Sequence, residues 1–158
     1  MRILGIGIGL LAMIVVGLFV LGACASSVAQ GVVGGVLAPC PTSPNCVSSE
    51  AGSGDHAIEP FRYEGDGRVV LARFVELLAE LPRVEVVSAE AAYAHAAFTT
   101  KWMRFTDDVE LRLDESASVV HVRSASRVGH SDMGANRARV EALRPTFAQA
   151  VAEVAAAD

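Results

Sequence analysis

Two carboxylates stand side by side at Asp107 and Asp108, and two arginines follow at Arg123 and Arg127 with Ser124 and Ser126 between them. Guanidinium groups favour planar, bidentate partners such as carboxylate or phosphate, so Arg123 and Arg127 form a candidate anion-binding fork. Just downstream, Asp132 and Asn136 flank an expected helix start, where free amide N–H groups favour anions. A second chemistry is open to the same stretch: Asp107 or Asp108 as acid or base, assisted by His130 or Ser131. Neither Gly-x-Ser-x-Gly nor His-Glu-x-x-His occurs in the chain, which weighs against a hydrolase.

Cys40-Pro-Thr-Ser-Pro-Asn-Cys46 is the other reactive pattern. Pro41 and Pro44 favour a turned backbone that brings the two sulfurs within bridging distance. A disulfide of this kind closes a short loop and mainly shapes a local turn. Free or redox-active thiols are one alternative. A metal site with some of His56, His95, His121 and His130 is another, although zinc-ligand cysteines usually stand two to four residues apart.

The elements that would position these groups follow from periodicity. Val70, Leu71, Phe74, Leu77, Leu78 and Leu81 recur at helical spacing, and Pro82 ends the run. Arg83–Val87 and Ala92–Thr99 predict two strands. Met103, Phe105, Val109, Leu111 and Leu113 alternate as a third, and Val119–Arg127 follows the turn Asp114–Ser118 as a fourth. Ser131 or Asp132 is placed to cap a last helix whose apolar stripe runs through Val140, Leu143, Phe147, Val151 and Val154. Pro145 should kink or split that helix. The order implies an α+β domain in two layers, a four-stranded antiparallel sheet with an N-terminal and a long C-terminal helix on one face.

Strand parity assigns the charges to faces. Asp107 shares a side with Phe105, Val109 and Leu111, and therefore points toward the helices, where a lone carboxylate is costly. Val120, Val122, Ser124 and Ser126 share the matching face of the next strand. Asp107, Ser124, Ser126 and Asn136 should therefore meet, either as a hydrogen-bonded cluster pinning the last helix or as a ligand site. The opposite face carries Arg104, Asp108, Glu110, Arg112, His121, Arg123 and Arg127 and reads as solvated. Pairing Leu113 with Val120 would set Glu110 opposite Arg123 and Arg112 opposite His121.

The N-terminus is an address. Met1-Arg2 precedes the uncharged apolar run Ile3–Ala23, which ends on Leu21-Gly22-Ala23-Cys24. A branched apolar residue, two small residues and a Cys at that point resemble a bacterial lipobox, with lipid on Cys24; an uncleaved membrane helix is the alternative. Both put Ala25 onward outside the cytoplasm, since Arg2 marks the inner side. Residues 1–23 are thus a lipoprotein-type signal peptide or anchor, the Gly-rich residues 24–38 a flexible tether, and residues 39–158 one folded domain. A formal charge of −5 with a single lysine, Lys101, excludes non-specific nucleic-acid binding.

Three blocks also resemble a known family, the bacterial and plastid domain of unknown function 1499: Cys40–Ser49, Phe105–Glu110 and the stretch from Arg123 through Arg127, Gly129, Asp132, Gly134, Asn136 and Arg137 to Glu141. The resemblance adds Arg137 to the candidate ligand-binding residues Asp107, Asp108, Arg123, Ser124, Ser126, Arg127, Asp132 and Asn136. It implies neither an activity nor a cofactor, and no residue pattern calls for one. The expectation is a membrane-anchored protein of the bacterial cell envelope that binds a small anionic or polar ligand. An extracytoplasmic hydrolase and an envelope scaffold meeting a protein partner through the charged sheet face are the alternatives.

Overall fold

The computed structural model describes residues 29–157. The apolar N-terminal run and Cys24 lie outside the described residues. Among those described, no helix is long and apolar enough to cross a membrane.

Helix α1 (Gly67–Ala79) starts where Asp66 accepts hydrogen bonds from the amides of Arg68 and Val69, a side-chain N-cap. It buries Val70, Leu71, Phe74, Leu77 and Leu78, the stripe that the spacing predicts. Strands β5 (Val84–Ala89), β6 (Tyr93–Thr99), β7 (Thr106–Asp114) and β8 (Val119–Ser126) follow as an antiparallel meander. Helix α2 (Ala135–Ala155) closes the chain. Both helices pack on the sheet face formed by Val109, Leu111, Val120 and Val122. Phe61 stacks on Phe147 at 4.9 Å between ring centres, and Phe74 meets both rings edge-on.

The sheet is larger than the four strands expected. Strands β3 (Cys46–Ser48) and β4 (Phe61–Arg62) both pair antiparallel with β8, giving six strands, and β1 (Val32–Val33) pairs with β2 (Val36–Leu37) as a separate two-stranded sheet. Segments of two or three residues are too short to show alternation. What recruits β3 and β4 is the edge of β8, whose backbone donors and acceptors need partners.

Two further expectations are corrected. Helix α2 is not split: it runs through Pro145 as one element. A proline inside a helix costs about 3 kcal/mol, but Val140, Leu143, Phe147, Ala150 and Val154 are buried on both sides of it, and each large apolar side chain contributes about 1.5–3 kcal/mol. Nor is the second sheet face solvated. His95, Asp108, Glu110 and Arg123 on that face are buried, and the segment 31–38 lies against it together with Glu50. The Gly31 amide donates to Glu110 Oε1 at 2.7 Å, Leu37 and Ala38 are buried, and the Leu37 amide donates to Glu50 Oε2 at 2.6 Å. Part of the segment expected as tether is thus a hairpin strapped to the sheet.

The aromatic trio makes the helix-to-sheet contact vulnerable at one residue. Phe147→Ala is expected to cost about 3–5 kcal/mol in urea unfolding, whereas the exposed Trp102→Ala should stay within about 0.5 kcal/mol.

Candidate functional site

Strand β7 places its acidic residues alternately on the two faces, and each face resolves them differently. On the helix side, Asp107 forms an ion pair with Arg139 of α2. The same guanidinium donates to Ser124 Oγ at 3.1 Å and Asn136 Oδ1 at 2.6 Å, while Ser124 Oγ–H donates to Asn136 Oδ1 at 2.7 Å. The Asn136 amide nitrogen donates to the Asn45 carbonyl, Ser126 Oγ and Asp132 Oδ2, all within 2.9 Å. Sequence parity brought Asp107, Ser124, Ser126 and Asn136 together, and they do meet. They meet as a closed hydrogen-bonded cluster that fixes α2 to β8 and to the disulfide loop.

Asp132 organises the start of α2. Its carboxylate accepts from the amides of Gly134 at 3.0 Å and Asn136 at 2.7 Å. Partial burial pushes its pKa up, but the amides of Asn136 and Gly134 outweigh this and hold it below the ordinary carboxylate value. Gly134 takes the left-handed conformation, φ 81°, at the first residue of the turn into the helix, which a β-carbon would strain.

On the outer face, Glu110 Oε2 receives Arg123 at 2.7 Å, and its Oε1 receives the Tyr93 hydroxyl at 3.0 Å and the strap amide of Gly31. Burial, and next Glu110, raise the Tyr93 pKa and keep it a donor. Asp108 is fully buried; His95 Nε2 lies 2.7 Å from its Oδ1, and Arg127 grips both oxygens at 2.8 and 3.0 Å. This is a carboxylate-oriented imidazole, an arrangement that can steer a proton. The expected cross-strand partners are in register: Glu110 faces Arg123, and Arg112 faces His121. Arg127 and Arg123 direct their guanidinium groups at Asp108 and Glu110, and Arg137 donates to the carbonyls of Asp55 and Ala57 at 2.8 Å.

Cys40 and Cys46 form the disulfide, with Cα atoms 5.7 Å apart. It frames Asn45, whose side chain donates to the Gly129 carbonyl at 2.7 Å and so ties this loop to the turn before α2. His130 and Ser131 are exposed, and it is His95 that joins Asp108. Arg139, His95, Tyr93 and Glu50 are the participants that sequence reasoning missed. Arg139 alone carried a signal, one helical turn beyond Asn136 on the same side.

The described residues also form an open groove of about 360 Å³ between β4 and the last turns of α2. Phe61, Phe147, Ala148, Val151, Ala152 and Ala155 make its walls, and Arg62 and Arg144 stand at its rim. Arg144 lies over the Phe61 ring at 5.3 Å and is held by Glu141 and by the carbonyls of Glu59 and Pro60. Arg62 is exposed and makes no ion pair among the described residues.

The strap side gives the fold a pH dependence. Burial lowers the His121 pKa; Glu50 opposes this, Arg112 adds to it, and Asp114 opposes it again. Ser49 Oγ sits 3.0 Å from His121 Nδ1 and itself receives the Val122 amide, so its hydroxyl proton suits a neutral ring. A folded pKa below the unfolded value of 6.5 means the unfolded chain binds more protons. The His121 contribution is therefore complete above pH 6.5 and is lost as pH falls through the lower folded value. The urea midpoint should fall on acidification through this window, and His121→Gln should flatten that part of the curve.

Neither a curated protein nor a solved structure matches the chain. A family model does, that of the protein of unknown function DUF1499, over residues 36–147. The matched span opens inside β2 and closes at Phe147 of the aromatic trio, so it takes in the disulfide loop, the whole sheet from β3 to β8 and both polar clusters. On that extent of match the chain belongs to the DUF1499 family.

Proposed function

We propose that this protein is a lipoprotein tethered to the extracytoplasmic side of a bacterial membrane, and that its folded part binds a small anionic ligand with an apolar body. Two features support the address. Leu21-Gly22-Ala23-Cys24 ends an uncharged apolar run, and the Cys40–Cys46 disulfide suits an oxidising compartment.

The groove at the end of α2 carries the binding reading. Its volume, near 360 Å³, falls within the range of small-molecule sites, which are largely apolar with a few placed polar groups. Arg62 supplies a positive charge at its rim that no carboxylate among the described residues holds. Arg123, Arg127 and Arg137, by contrast, are engaged with Glu110, Asp108 and backbone carbonyls. Arg144 is shared with Glu141 and shapes the wall more than it offers charge.

Two measurements test this. Mass spectrometry of the mature protein should find an acylated Cys24 at its N-terminus; an intact Met1 with a free Cys24 thiol would refute the tether. Decanoate, titrated below its micelle threshold, should perturb the methyl resonances of Val151 and Ala152. Arg62→Ala should weaken decanoate roughly tenfold, about 1.4 kcal/mol, and leave decanol unchanged. Equal loss for both probes would remove the anion from the reading, and Val151→Trp without effect on either would remove the groove.

A further inference from the structure

The acidic domain has an exposed surface of the opposite character at one end of the sheet. The link between β6 and β7 is closed at its base by two hydrogen bonds, from the Thr100 amide to the Phe105 carbonyl at 2.8 Å and from the Phe105 amide to Thr100 Oγ1 at 2.9 Å. The clip holds Lys101-Trp102-Met103-Arg104 out as a tip. Trp102 is 81 % exposed, Met103 57 % and Phe105 38 %. Met133, in the turn before α2, is 99 % exposed. The segment that leads from β8 to that turn starts beside the base of the tip, where the Arg127 amide donates to the Thr106 carbonyl at 3.2 Å.

Charge singles out the same end. Lys101, the one lysine of the chain, sits 5.1 Å from the centre of the Trp102 ring, and Arg104 follows. No acidic residue lies between Thr100 and Thr106. The carboxylates that come next, Asp107 and Asp108, are neutralised by Arg139 and Arg127. A protein of net charge −5 therefore presents a locally cationic tip carrying its single tryptophan. Amphipathic rings beside Lys and Arg are the side chains that settle at the headgroup level of a bilayer, where anionic lipid attracts the cations.

The tether brings this end within reach. The Gly31 amide is bonded to Glu110, and seven residue steps separate Gly31 from Cys24 (31 − 24). A fully extended chain spans at most 3.3–3.6 Å per residue, so the leash is no longer than about 25 Å. Four residues of β7, roughly 14 Å at strand spacing, take Glu110 to the base of the tip. We propose that the Lys101–Phe105 tip and Met133 dock on the anionic lipid surface to which Cys24 is anchored, fixing the domain with its α2 groove turned away from the bilayer. The orientation follows from β4, whose Phe61 pairs with Val120 at the far end of the sheet.

This inference rests on the tether reading, and the experiment separates the two. Full-length acylated protein is reconstituted in vesicles of phosphatidylcholine with or without phosphatidylglycerol and recovered by flotation. The emission of Trp102, the only tryptophan, then reports docking directly. Docking predicts a blue-shifted Trp102 quenched by lipids brominated near the headgroup, more strongly with phosphatidylglycerol present. Lys101→Gln and Arg104→Gln should each lower the docking constant roughly fivefold. Protein that floats while Trp102 keeps the emission of water and resists the brominated lipid overturns the docking and leaves the tether standing. Protein that fails to float overturns both.

Discussion

Carboxylates inside a protein must find positive charge or abundant donors, because desolvating one alone is prohibitive. Strand β7 places three of them, Asp107, Asp108 and Glu110, where water hardly reaches. Each draws its own arginine: Asp107 from the N-terminal part of α2, Asp108 from just past the end of β8, Glu110 from the cross-strand position on β8. The first pairing fastens the helix layer to the sheet. The third sets the stage for the strap, since Glu110 also accepts the Gly31 amide. One strand thus fixes what lies above the sheet and what lies below it. The composition agrees with this demand. Of 13 basic side chains 12 are arginine, the one cation whose planar fork can satisfy a buried carboxylate and bridge neighbouring acceptors.

The same constraint explains what the sequence disclosed. Alternation along β7 and β8 is strict because one face is packed by helices, so parity correctly grouped Asp107, Ser124 and Ser126 and set Glu110 against Arg123. Helix α1 was legible from its stripe and from Pro82 behind it. The charged face was read as solvated because charges facing away from an apolar layer usually are. Here the cover is built from the segment 31–38 and Glu50, whose small, Gly-rich residues carry no periodic signal. Strands β3 and β4 were invisible for a related reason: they exist through the edge of β8 and have no pattern of their own. Of the two outcomes that Pro145 suggested, a kink or a split, the split does not occur, because burial of Phe147 and Val140 on either side holds one continuous helix.

The disulfide belongs to this architecture more than its short loop suggests. Cys46 begins β3, and Asn45 beside it bonds outward to Gly129 and, through its carbonyl, to Asn136 and Ser126. The loop therefore joins the strap side to the helix side at one end of the sheet. Without it, the Asn136 side chain would lose its tie to the loop backbone and keep only Ser126 Oγ and Asp132 Oδ2 as acceptors. The sequence blocks that resemble the family, Cys40–Ser49, Phe105–Glu110 and Arg123–Glu141, are the three segments that converge at this junction. Separate in sequence, they are joined in space by the Asn45–Gly129 and Asn136–Asn45 hydrogen bonds and by the β7–β8 pairing.

Such wiring bears on how a tethered domain behaves. A flexible linker lets a domain sample all orientations, but a linker that is itself part of the fold does not. Since Gly31 is bonded to a buried carboxylate and Leu37 to Glu50, the free leash begins before residue 31 and not at residue 39. With Cys24 as the proposed anchor, the eight residues (39 − 31) taken up by the strap remove about 26 to 29 Å of maximal reach. The strap also connects the N-terminal side to the core, because the Gly31 amide is bonded to Glu110. Tyr93 and Arg123 share that carboxylate. Loss of the strap would therefore leave Glu110 still paired with Arg123 and bonded to Tyr93.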